Sequence, residues 1–158
     1  MFKKQILILL IFLFQLTLGI NSYAKIDIRV KVNNEIITNI DIKKEAEYLK
    51  ILNPNLIQLN ENKILELSQV SLINEVVKKK EILKYFDINK TDDQLSNLYL
   101  KDLYLRLNYN SKDDFINDLR SKNSYSINEI KKKINIELYW NEIIYKKYNN
   151  LVKIDKKL

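Results

Sequence analysis

The side chains that most enzymes use for nucleophilic or general base chemistry are scarce in this sequence. It has no histidine and no cysteine, and its one glycine, Gly19, lies in an apolar segment near the start of the chain. Histidine triads, cysteine nucleophiles, the common zinc sites and glycine loops that bind phosphate are therefore not predicted. We expect a protein that is not an enzyme and that holds no metal ion or other cofactor.

Two pairs of adjacent carboxylates are the remaining candidates for acid–base chemistry. Asp92-Asp93 and Asp113-Asp114 each fall in the first turn of a predicted helix, where the helix dipole favours negative charge. Thr91 and Ser111 precede these pairs and are residues that commonly cap helices. Because capping explains both placements, we interpret the four aspartates as parts of helix starts rather than as catalytic groups.

Aromatic side chains are the most abundant remaining feature that could serve a function. The chain has ten tyrosines, five phenylalanines and one tryptophan. Tyrosines spread along helices usually complete a core, with the ring buried and the hydroxyl near water. The alternative is an exposed aromatic groove that grips apolar peptide. The spacing favours the first interpretation and leaves the second open.

The first 24 residues have the order of a secretory signal peptide. Lys3 and Lys4 precede an apolar run over 6–14, and Ser22-Tyr23-Ala24 supplies small residues for a peptidase. The apolar run is shorter than the ~20 residues of a spanning helix. We therefore predict cleavage between Ala24 and Lys25, a domain over 25–158, and no stable membrane insertion after cleavage.

The net charge of the chain is basic without indicating a nucleic-acid partner. The formal charge is +7, and two of these charges belong to the predicted signal peptide, so the mature part carries about +5. The lysines alternate with acids, and the surplus of Ile, Lys, Asn and Tyr is typical of a genome rich in A and T. Charge without a recognition motif is a weak signal, so we expect no nucleic-acid binding.

The residue pattern predicts a small N-terminal β-hairpin followed by about five helices, a mostly α fold. Apolar and polar residues alternate over 26–32, Asn33-Asn34 suits a turn with positive φ, and 35–37 returns as a second strand. Ser or Thr followed three residues later by an acid or amide marks helix starts at Thr38, Thr91, Ser111 and Ser126. The predicted helices cover 39–52, 61–85, 92–108, 112–121 and 127–149, and 151–154 is predicted to be a short strand.

Two of these helices are predicted to form the core. The helix over 61–85 is apolar over a wide arc that includes Val70, Leu72, Val77 and Leu83, which is typical of a central helix. The last helix has a similar apolar arc, so we expect the two to pack together.

Several segments occur in a recognisable order: 32–41 (VNNEIITNID), 72–75 (LINE), 91–95 (TDDQL), the helix opened by Ser111, 129–140 and 152–154 (VKI). Their order resembles the N-terminal domain of the SurA family of periplasmic chaperones. In that family a hairpin follows the signal peptide and leads into a capped helix, and the similarity covers essentially all of 25–154. One departure is Asp87, which stands where the family usually has glycine.

The resemblance implies a periplasmic, ATP-independent chaperone that binds unfolded outer-membrane polypeptide segments. Family members continue into parvulin-type prolyl isomerase domains, whereas this sequence stops where the first would start, so we expect no isomerase domain here. Two alternatives stay open: a non-catalytic subunit that works with a separately encoded isomerase or C-terminal module, and an envelope assembly factor with one folded partner. The residues that we predict to contact peptide are Tyr99, Leu103, Tyr104, Leu107, Tyr109, Tyr139 and Trp140.

Overall fold

The structure is a computed structural model that describes residues 25–88 and 93–149. The predicted signal peptide over 1–24, the predicted cap at Thr91 and the predicted strand over 151–154 lie outside these residues. Within them the protein is mostly helical, with a two-stranded antiparallel hairpin at the N-terminal side. The predicted fold class is confirmed.

The hairpin has the predicted turn but only part of the predicted apolar face. Strand β1 covers Ile28–Val32 and β2 covers Glu35–Thr38, and Asn33 has φ 55 in the turn between them. The register of the two strands shifts between Ile28 and Val30. Because of this shift the alternation holds for Val30 and Val32, which pack against the core, whereas Ile28 is 66% exposed.

Five α-helices and one 3₁₀ helix follow the hairpin in the described residues. Local signals set their ends, and the largest difference from prediction is at the end of the second helix, expected at 85 and observed at 82. Pro54 opens the 3₁₀ helix and separates the first two helices, as its fixed φ and missing N–H favour. The helices are α1 (Asn39–Leu52), the 3₁₀ helix (Pro54–Gln58), α2 (Glu61–Ile82), α3 (Asp93–Arg106), α4 (Lys112–Ser121) and α5 (Ile127–Tyr148).

Side-chain caps begin three of these helices as the sequence predicted. The backbone N–H of Asp41 donates to Thr38 Oγ1 at 3.2 Å, and the backbone N–H of Thr38 donates to Asp41 Oδ2 at 2.8 Å, which completes a reciprocal capping box. Ser126 starts α5 in the same way, and Ser111 accepts from the backbone N–H of Asp114 at 3.1 Å. Such a cap contributes about 1 kcal/mol to stability, which explains why the helix starts were predictable.

The apolar core is divided into two clusters that meet at α1. The larger cluster joins α1, α3, α4 and α5, and the smaller one joins the hairpin, α1 and α2. The larger cluster consists of Tyr48, Ile51, Leu100, Phe115, Leu119, Tyr125 and Ile130. The smaller cluster consists of Ile37, Ile42 and Leu72, with Val30, Val32, Leu65 and Ile73 packed around them.

The expectation that α2 and α5 form the core between them is met in part, because the larger cluster contains no residue of α2. Helix α2 packs on α5, as predicted, and on α1 and the hairpin, but a third side faces solvent, where Val70 and Val77 are each about half exposed. Leu83, just past its end, is also exposed. The helix in contact with both clusters is α1, because Tyr48 and Ile51 face one way and Ile42 faces the other. Among the helices that the structure describes, none combines the length and the apolar character needed to cross a bilayer.

Candidate functional site

A cleft of about 470 Å³ lies where α1, α2, α3 and α5 come together. Its size falls in the range of ~300–1,000 Å³ that is typical of protein binding clefts, so it has room for a few side chains. Its apolar wall consists of Tyr48, Leu49, Leu52, Tyr99, Leu103, Ile134 and Leu138. Its polar lining consists of Glu45, Ser71, Glu75, Arg106, Lys133, Glu137 and Asn141.

Lys133 ties three helices together within the cleft lining. Its Nζ lies 2.9 Å from Glu45 Oε2 of α1 and also forms an ion pair with Glu75 of α2. The hydroxyl of Ser71 donates to Glu45 Oε1 at 2.7 Å. The Glu45 side chain is 2% exposed and that of Lys133 is 13% exposed, so water screens this ion pair poorly. We call Lys133, Glu45 and Glu75 the ion clasp.

Two tyrosine rings pack against the ion clasp from the core side. The ring of Tyr125 lies 4.5 Å from Lys133 Nζ, and the rings of Tyr48 and Tyr125 meet edge to face at 5.5 Å. Burial raises the pKa of both tyrosines well above the usual value, and the Glu45 carboxylate raises it further. Loss of a proton from either hydroxyl is therefore even less favourable than for an ordinary tyrosine.

Helix α3 extends the apolar surface beyond the cleft. Tyr99 lines the cleft and is 43% exposed. Leu95, one turn earlier, is similarly exposed, and the neighbouring Leu98 is 62% exposed. Because positions four apart lie on one face of a helix, Leu95 and Tyr99 form a continuous apolar strip that leads into the cleft.

The structure divides the seven predicted contact residues among several places. Tyr99 and Leu103 line the cleft, and Leu103 also packs against the larger core cluster. Tyr104, Leu107 and Tyr109 pack against that cluster as well.

The other predicted residues have surroundings of their own. The Tyr109 hydroxyl donates to Asp118 Oδ2 at 2.5 Å, which fixes the ring beside Phe115. Tyr139 stacks on Phe86 with ring centroids 4.9 Å apart, and Trp140 is half-buried. The residues best placed to meet a ligand in the cleft are therefore Tyr99 and Leu103.

Sequence reasoning missed the charged residues of the cleft. Glu45 lies on the same side of α1 as the buried Ile42 and Ala46, and Lys133 lies close to Ile130 and Ile136 on α5. A charge within an apolar stripe is a signal for a buried ion pair, because isolated charges are seldom buried. That signal was present at both positions. In residues 25–88 and 93–149, acidic side chains form no group of three or more that could hold a metal ion.

Comparisons of the chain with protein-family models, with curated proteins and with solved structures find no match.

Proposed function

We propose that this chain is a chaperone-like protein of the bacterial envelope that binds unfolded outer-membrane polypeptides without using ATP. The observation that carries the proposal is the open cleft between α1, α2, α3 and α5, whose apolar wall continues onto the exposed strip of α3. The residues that resemble the SurA family supply the class of client and the periplasmic location.

The composition of the cleft suits transient capture of an unfolded segment. Leu49, Leu52, Leu103 and Leu138 offer apolar surface without a directional hydrogen-bonding pattern. Such a wall tolerates many sequences, because hydrophobic contact depends on area more than on direction. An unfolded client loses conformational entropy when it is ordered on a surface, so binding is expected to be weak and reversible.

The cleft is also small enough to favour a segment over a folded partner. Stable interfaces between folded proteins bury about 1,600 Å² in total. A short extended segment could be held by the cleft alone, whereas a folded partner would also need surface outside it.

The test is suppression of aggregation of a diluted, denatured β-barrel protein, followed by light scattering. We expect the processed chain to delay aggregation at several-fold excess. Asn141→Trp, at an exposed position of the cleft lining, should fill the cleft and abolish the effect, and Tyr99→Ser should weaken it. The matched control is Tyr85→Ser, which removes an exposed tyrosine that lies outside the cleft.

Circular dichroism and urea unfolding verify that each variant is folded. No delay by the wild-type chain at any tested excess would contradict the proposal. Full activity of a folded Asn141→Trp variant would show that clients bind elsewhere. Binding to one folded envelope protein, with no affinity for unfolded segments, would favour the assembly-factor alternative.

A further inference from the structure

A second surface, separate from the cleft, lies where α2 and α5 end. Two ion pairs show how these helices run: Lys133 contacts Glu75, and further along both helices Lys78 contacts Glu137 at 2.6 Å. Since residue numbers increase together, α2 and α5 are parallel, and their carboxyl ends lie at the same end of the domain. Phe86, just after α2, contacts the middle of α5 through Tyr139 and the last turns of α5 through Lys146.

Large apolar side chains are concentrated and exposed at this end. Tyr85 is 64% exposed and Tyr145 is 65% exposed. Leu83, Ile144 and Tyr148 are exposed as well. Exposed apolar groups gathered in one place commonly mark an interaction surface.

Lysines surround these side chains. Segments 79–88 and 142–149 contain five lysines and three acidic residues. Three of these lysines form ion pairs, Lys79 with Glu35 of the hairpin, Lys84 with Glu81 and Lys146 with Glu142, whereas Lys80 and Lys147 form none in the part of the chain that the structure describes. Lys146 Nζ lies 5.2 Å from the centre of the Phe86 ring, and Lys147 Nζ lies 5.7 Å from that of Tyr148. Lys80 Nζ donates to Asn33 Oδ1 of the hairpin turn, so the turn also lies at this end. The lysines in the last turns oppose the partial negative charge of the two helix ends.

We propose that this surface, formed by Leu83, Tyr85, Tyr145, Tyr148 and the lysines at 79, 80, 84, 146 and 147, docks on anionic phospholipid. We call it the tyrosine–lysine end. In the docked state the tyrosine rings lie at the level of the headgroups, and the lysines reach the phosphates. The chain binds the bilayer at its surface and does not span it.

The chemistry of the surface matches a lipid headgroup layer better than a protein partner. Tyrosine has an apolar ring and a polar tip, so it suits a boundary between water and hydrocarbon. Lysine places an apolar stem along such a boundary while its ammonium stays in water. Core positions of protein interfaces, by contrast, are depleted in lysine.

The experiment measures binding of the processed chain, with its first residue verified by mass spectrometry, to vesicles of phosphatidylcholine with and without phosphatidylglycerol. We expect sedimentation with the anionic vesicles only, and weaker binding as salt is raised. Lys80→Gln with Lys147→Gln should lower the partition coefficient about 25-fold, because each lysine at an anionic surface is worth about fivefold. Tyr85→Ser with Tyr145→Ser should also reduce binding.

Each control variant changes the net charge or the exposed apolar area by about as much as the test variant with which it is compared. Lys43→Gln with Lys112→Gln removes two exposed lysines from α1 and α4, and Leu98→Ser removes an exposed apolar side chain from α3. Neither control should change binding by more than about twofold. An equal loss in the test and control lysine pairs would show attraction by overall charge and would overturn the proposal. Equal binding to neutral vesicles, or none to anionic vesicles, would overturn it too. Aggregation suppression is measured separately, so it can succeed where this test fails.

Discussion

Replacing Lys133 by methionine tests whether the ion clasp is a buried charge network. Methionine has nearly the length of the lysine stem, so the packing against Tyr48 and Tyr125 is largely kept while the charge is removed. Glu45, with 2% of its side chain exposed, then remains as a carboxylate without a cation. Glu75 is 31% exposed and can be hydrated instead.

The expected cost follows from this difference in burial. Removing one partner of a buried ion pair typically destabilises a protein by about 3–5 kcal/mol, and Glu45 is buried enough to place the loss near ~4 kcal/mol. Total stabilities of such domains are about 5–15 kcal/mol, so the variant should be close to its folding limit. The melting temperature should fall by about 10–15 °C.

The assay is urea unfolding at neutral pH, followed by circular dichroism and by the fluorescence of Trp140. The control is Lys132→Met, which changes the same residue type at the neighbouring exposed position of α5 and should cost less than about 0.5 kcal/mol. Glu45→Gln combined with Lys133→Met should recover most of the loss, because an uncharged amide still accepts the hydrogen bond of Ser71.

Two results would refute this reasoning. If Lys133→Met lowers the free energy of unfolding no more than Lys132→Met does, the buried charge of Lys133 contributes no more to stability than an exposed lysine. If the double variant loses as much as Lys133→Met alone, the damage comes from packing and not from an unpaired carboxylate.

Three further predictions concern the pH dependence, one turn and the processing of the chain. Partial burial opposes ionisation of Glu129, but hydrogen bonds from Lys44 and the helix cap lower its pKa from 4.5 to about 2. The ionised Glu129 side chain therefore stabilises the folded protein above pH 4.5, and this stabilisation is lost as the pH falls towards 2. Because the Glu129 side chain is 41% exposed, water screens the charges, and the loss of unfolding free energy should be about 1 kcal/mol. Urea unfolding measured at a series of acidic pH values should show this loss in the wild type but not in Glu129→Gln. Asn123 has φ 50, a region that alanine disfavours and glycine tolerates. By urea unfolding, Asn123→Ala should lower stability by about 1 kcal/mol, whereas Asn123→Gly should stay within about 0.5 kcal/mol of the wild type. Equal losses in the two variants would contradict this explanation. N-terminal sequencing of periplasmic protein should find Lys25 first, and Met1 retained in the membrane fraction would contradict cleavage after Ala24.

Features encoded by neighbouring residues were predictable from the sequence. Helix starts at Thr38, Ser111 and Ser126 need only a cap and a partner three residues away. Asn33, in the predicted turn, has positive φ, and so do Asn108 and Asn123 between helices, because asparagine tolerates that region better than most residues. Local chemistry therefore predicted the order of the strands and α-helices and most of their bounds, but not the 3₁₀ helix or the end of α2.

Features that depend on how helices meet were predicted less well. The stripe of Leu95 and Tyr99 and the adjacent Leu100 all look apolar, yet Leu100 is 2% exposed while the other two face solvent. The direction from which α5 packs on α3 determines which of these side chains is buried. That direction is not encoded in the periodicity of α3. The cleft has the same origin, since its lining comes from four helices that are distant in sequence.

The division of the core into two clusters has a consequence for the order in which the chain can fold. The smaller cluster needs only residues between Val30 and Ile73. The larger cluster is complete only when Ile130 is available. Until then Tyr48 and Ile51 on α1 lack the partners that bury them in the finished domain, so a partly folded chain presents an apolar surface to other proteins.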